Sequence, residues 1–149
     1  HGEVEKFRKL WEAFNTLFTV VADVARKTEK GEKERIKLSI QKLISPKEAE
    51  EIIATFKRNG IIDKLISFNI VSKYGENFSS DLRDAAKPNK PDWLLLLKKA
   101  VLCIYGIRNE VFHDGPRVDD IEQKAAVARE LLSPVVRRCL HKMATTNIG

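Results

Sequence analysis

The chain has 149 residues, room for one domain of ordinary size. Its 43% hydrophobic and 32% charged content excludes a disordered polar tail, and no apolar run approaches the roughly 20 residues that a membrane-spanning helix needs. Lys+Arg number 27 against 21 Asp+Glu, and the resulting charge of +6 favours a polyanionic partner without identifying one.

Helical periodicity runs almost throughout. From Glu3 to Lys27, apolar residues recur in steps of three and four at Val4, Phe7, Leu10, Trp11, Phe14, Leu17, Phe18, Val21 and Val24, one stripe of a long amphipathic helix. Gly31 interrupts it, and a shorter helix is expected over 32–44 with Ile36, Leu38, Ile40 and Leu43 on its apolar side. Ser45-Pro46-Lys47-Glu48 is a helix start: Ser at the N-cap, Pro at the first position, Glu placed to close a capping box. That helix should stop at Gly60 through a left-handed glycine.

The stretch 61–74 is undecided between helix and irregular chain, because Leu65, Phe68 and Ile70 keep helical spacing amid β-branched residues. Ser79 and Ser80 are expected to cap a short helix over 81–86, and Pro88 and Pro91 demand a loop after it. Two long helices complete the chain. One covers 92–113 with Trp93, Leu97, Ala100, Ile104, Ile107 and Val111 on its stripe. The other starts at Asp119 or Asp120, with a kink expected at Pro134. The expected architecture is an all-α, antiparallel up-and-down bundle of about four to six helices, forming a single domain over 3–149. His1-Gly2 reads as a trimmed or tag-derived start outside that domain.

No phosphate-binding glycine loop, nucleophile elbow, zinc-protease pair or Ca²⁺ loop is present. The three histidines are scattered away from other ligand types, so no metal and no cofactor are expected. Cys103 and Cys139 lie in apolar segments without Cys-x-x-Cys spacing and are expected to be reduced, buried thiols. No export signal is visible, and a cytoplasmic location is expected.

One stretch carries chemistry: Gly106-Ile107-Arg108-Asn109-Glu110-Val111-Phe112-His113. At about 100° per residue, Gly106, Asn109 and His113 fall within roughly 60° on a face away from the core stripe. The glycine permits a close backbone approach there. A permanent cation, an amide and an imidazole thus gather at the end of the penultimate helix. A histidine in a last turn is also favoured by the helix dipole whatever its role. Tyr105 and Phe112 are candidates to stack on a base, with core packing the better expectation for Phe112. Two basic clusters, Arg26, Lys27, Lys30, Lys33 and Arg35 near the first loop and Arg137 and Arg138 on the last helix, are candidates to guide a nucleic acid, though charge runs are more often solvated faces.

Arg108-Asn109-x-x-x-His113, so placed in an all-α chain, resembles the signature of the HEPN superfamily. The Leu10-to-Phe18 segment and Gly115 resemble its Apea-like members. The resemblance implies a metal-independent endoribonuclease of toxin–antitoxin or phage-defence systems. It implies a homodimer in which two Arg/His motifs share one cleft, with an antitoxin or a larger defence complex as further partner. His113 would be the acid/base, Arg108 the phosphate clamp, and Asn109 an orienting residue for either. Imidazole moves protons near neutral pH and guanidinium clamps an anion, the two tasks left when RNA supplies its own 2′-hydroxyl nucleophile. Arg108 and His113 are about 140° apart on a regular helix, which also points to a dimer. Gly115 stands where the nucleotidyltransferase-paired toxins carry a tyrosine, so pairing with a transferase antitoxin is not implied. The alternative is a non-catalytic HEPN-like module that binds nucleotides or dimerises within a larger protein.

Overall fold

The computed structural model describes residues 2–26, 31–113 and 120–145, and is helical with no strand among them. Seven helices follow in order: α1 (Gly2–Val24), α2 (Glu32–Leu43), α3 (Pro46–Arg58), α4 (Ile61–Ser67), α5 (Phe78–Ala86), α6 (Trp93–His113) and α7 (Ile121–Thr145). The all-α bundle is as expected, but with seven helices among the described residues where four to six were expected. The undecided stretch supplies the two-turn α4. None of these helices is long and apolar enough to cross a membrane.

The capping box at the start of α3 forms in full. The Ser45 amide donates to Glu48 Oε1 at 3.0 Å, and the Glu48 amide donates to Ser45 Oγ at 3.1 Å. Gly60 takes φ +81 after α3, as expected, and α4 begins at the next residue. The cap of α5 differs from expectation. Asn77 Oδ1 accepts from the Ser80 amide at 2.9 Å, and the helix starts at Phe78. Ser79 is buried inside α5, where its hydroxyl donates to Leu65 O at 2.8 Å and accepts from the Ile70 amide at 2.7 Å. A serine that can satisfy two buried backbone groups contributes more there than at a cap.

The core is one cluster of buried apolar side chains centred on α6, whose residues Leu96, Leu97 and Ala100 to Ile104 are all buried. Trp11, Phe14 and Phe18 on α1 pack edge-on to one another, with Trp11–Phe14 and Phe14–Phe18 centroids at 5.5 and 5.3 Å. The α2 helix runs antiparallel to α6, since Glu32 lies by Arg108 and Gln41 bonds Lys98. Lys124 joins Glu110 at 3.3 Å and brings the start of α7 to the end of α6. Asp119 lies outside the described residues, and Asp120 precedes α7 with φ +58. The α7 helix continues through Pro134.

Candidate active site

The last two turns of α6 keep Ile107 and Val111 in the core and turn another face to an open groove, of which they form one wall. Its depth depends on Gly106. A Cβ at that position would overlap the Ile70 Cγ2 methyl and lie 2.9 Å from Phe78 Cδ2. The missing side chain therefore lets Ile70 and Phe78, both fully packed, sit directly on α6. The groups that approach Gly106 are thus the Ile70 and Phe78 side chains of the same chain, where a backbone was expected, and the residue is buried beneath them.

The groove encloses about 590 Å³ between the start of α2, the segment after Asn69, and α6. Arg108, Asn109 and His113 all line it, with Tyr105 beside them. Arg108 and His113, about 140° apart around the helix, border the same groove.

Arg108 is held on several sides. Its Nη1 donates to Asn109 Oδ1 at 2.9 Å and lies 3.9 Å from Glu32 Oε1. Its Cζ stands 4.4 Å from the Phe112 ring centroid, one turn on. Its Nε is buried without a hydrogen-bond partner among the described residues. Asn109 thus presents its amide oxygen to the arginine, which fits it to orient the guanidinium.

Phe112 is not a core residue. It is 42% exposed, off the Ile107–Val111 stripe, and two guanidiniums stack on it. The second belongs to Arg8 of α1, whose Cζ is 5.3 Å from the same centroid and whose Nη2 reaches Val111 O at 3.5 Å. Arg8, about a hundred residues away in sequence, carries no local signal that would place it here. Tyr105 lies half-buried against Trp11 and Phe78, with centroids at 6.2 and 6.1 Å. His113 is exposed at the end of α6.

The basic clusters divide. Lys33 lines the groove but pairs with Glu76, which holds its ammonium above the usual lysine value. Arg35 is half-buried on α2, and Arg26 is exposed beyond α1 with φ +59. Lys27 and Lys30 lie outside the described residues, as does Gly115. Arg138 joins Glu48 and Glu51 of α3 at 3.3 and 3.2 Å, and Arg137 donates to Ser133 Oγ at 2.9 Å. Both line a separate hollow between α3 and α7. Arg138 stands 14 residues beyond Lys124 on α7, roughly 21 Å along the helix axis from the end of α6.

Cys103 and Cys139 are free and buried, and burial pushes both thiols up to about 12. Neither offers a thiolate at neutral pH. Comparison with protein-family models, with curated proteins and with solved structures finds no match for this chain.

Proposed function

We propose that the chain is a metal-independent endoribonuclease, the activity implied by the resemblance of its Arg108-Asn109-x-x-x-His113 segment to HEPN domains. The observation that supports it most is the lining of one groove by all three of those side chains. In the proposed reaction the 2′-hydroxyl of the RNA attacks the adjacent phosphorus while the bond to the 5′ oxygen breaks. One proton leaves the 2′ oxygen and one must reach the 5′ oxygen. His113 carries one of these transfers. Arg108, oriented by Asn109, faces the non-bridging oxygens and compensates the charge that builds on them.

Among the described residues a single imidazole lines the groove, so the second transfer falls to water or to the motif of a second copy. The homodimer of the resembled family belongs to this proposal, as do a cytoplasmic toxin–antitoxin or phage-defence setting and its antitoxin or larger complex. Sedimentation of the purified protein at tens of micromolar tests the dimer.

Cleavage of labelled RNA in excess EDTA tests the activity. The expected products carry a 2′,3′-cyclic phosphate and a 5′-hydroxyl, and RNA with 2′-O-methyl sugars throughout should resist. A strict need for Mg²⁺, or equal cleavage of DNA, overturns the mechanism. Tight RNA binding with no cleavage leaves the non-catalytic module in its place.

A further inference from the structure

Val71 and Asn77 form an isolated antiparallel bridge, and between them the chain makes a tight hairpin. The Ser72 amide donates to Glu76 O at 2.7 Å, the Gly75 amide donates to Ser72 O at 3.0 Å, and Gly75 takes φ +88. This is the three-residue loop in which a left-handed glycine follows a turn. The Ser72 hydroxyl accepts from the Tyr74 and Glu76 amides at 3.2 and 3.1 Å. The Lys33–Glu76 pair fastens the hairpin to α2. Its tip is therefore fixed by backbone bonds, a serine hydroxyl and an ion pair.

Tyr74 stands on that tip at 86% exposure, while the next most exposed large apolar residue among the described ones, Leu140, is at 50%. Lys73 sets its ammonium 5.3 Å from the Tyr74 ring centroid. Both residues border the groove that holds Arg108 and His113. The acids of that groove are matched by cations: Glu76 by Lys33, Glu110 by Lys124, and Glu32 beside Arg108. A phosphate there meets no unopposed carboxylate among them.

We propose that Tyr74 is a stacking platform for an unpaired base of the nucleotide next to the phosphate held at Arg108, which makes single-stranded RNA the substrate class. The inference rests on the ribonuclease reading of the same groove. A base inside a duplex has both faces covered by its neighbours and cannot be offered to an outside ring, whereas any unpaired base can. An aromatic ring on a backbone-fixed tip loses little freedom on stacking, and Lys73 adds charge for the flanking phosphate.

The probe is a short 2′-O-methyl RNA, single-stranded or annealed into a blunt duplex, titrated by fluorescence anisotropy against the full chain. Tyr74→Ala should weaken single-strand binding roughly 5- to 150-fold, the range that loss of one base–aromatic stack produces. Tyr74→Phe should restore it, and the duplex should bind more weakly to the parent and be indifferent to both changes. Because the side chain is so exposed, the melting temperature should not move. Unaltered single-strand affinity in Tyr74→Ala, or equal affinity for duplex, overturns the inference even if cleavage persists. Tyr74-dependent binding without any cleavage retains the platform and overturns only the nuclease reading.

Discussion

Gly106 and Ile70 touch so closely that no methyl group fits between the α6 backbone and the Ile70 side chain. This contact seats the 70s hairpin on α6 and fixes one wall of the groove. Gly106→Ala therefore sets two effects against each other. Alanine gains up to about 1 kcal/mol of helix propensity. Overpacking against the buried Ile70 and Phe78 costs about 1–3 kcal/mol, because the added methyl would overlap Ile70 Cγ2 and crowd Phe78 Cδ2. The steric effect should win. The melting temperature should fall by about 2–8 °C, and a rise would contradict the packing described.

The start of α3 predicts a pH dependence. The Ser45 amide, with help from Arg138 and the Ser45 hydroxyl, holds the Glu48 carboxyl below its ordinary value against the opposing effect of burial. A carboxyl with a lowered folded pKa stabilises the fold above its unfolded value, and that contribution is lost as pH falls through the lowered one. Stability should therefore drop on acidification below about pH 4.5. A glutamine still accepts from the Ser45 amide. Glu48→Gln and the parent should thus differ most at pH 7, with the parent higher, and less at pH 3. An equal gap at both pH values would remove Glu48 from the acid response.

Periodicity located the long helices because their stripes bury continuously: α6 shows it in Leu97, Ala100, Ile104, Ile107 and Val111, all buried. Likewise, Ser45 and Glu48 mark the start of α3 because the capping box is a local motif. The hairpin is different. Its bonds join backbone groups and one serine hydroxyl, so no apolar period records it, although Ser72 and Gly75 at the ends of a four-residue turn were a usable signal. The motif residues of the site were visible as a cluster on one helix. Their surroundings were not, because Arg8, Glu32 and Tyr74 arrive from elements far away in the chain. Phe112 was misplaced for the same reason: Arg8 and Arg108 stack on it outside the core.

Those surroundings separate the basic residues by role. Arg8 stands over Phe112 beside Arg108, while Arg138 is committed to two glutamates of α3. If RNA lies in the groove at the end of α6, Arg8→Ala should weaken binding at low salt and lower the salt slope by about one, as loss of a phosphate contact does. Arg138→Ala should leave that slope unchanged. Its partly exposed ion pairs are screened, so its stability cost should stay below about 1 kcal/mol. The reverse pattern, with Arg138 governing the slope, would move the RNA track to the α3–α7 hollow.

The last prediction separates chemistry from binding at the end of α6. His113 is exposed and lies outside the core, so His113→Ala should shift the melting temperature little. Removal of a general acid or base lowers the rate by about 10²–10⁴-fold, so cleavage should nearly vanish while RNA still binds. Arg108→Ala should lose cleavage and affinity together, because it deletes a phosphate contact that is also a transition-state contact. Arg108→Lys should restore affinity more than rate, since an ammonium keeps the charge but loses the forked donors. Asn109→Ala removes the acceptor 2.9 Å from Arg108 Nη1, so its effect should fall on kcat more than on KM and should largely disappear in an Arg108→Ala background. Independent, multiplicative losses in the Arg108/Asn109 pair would deny the orienting role. Near-parent cleavage by purified His113→Ala would end the catalytic reading of the motif.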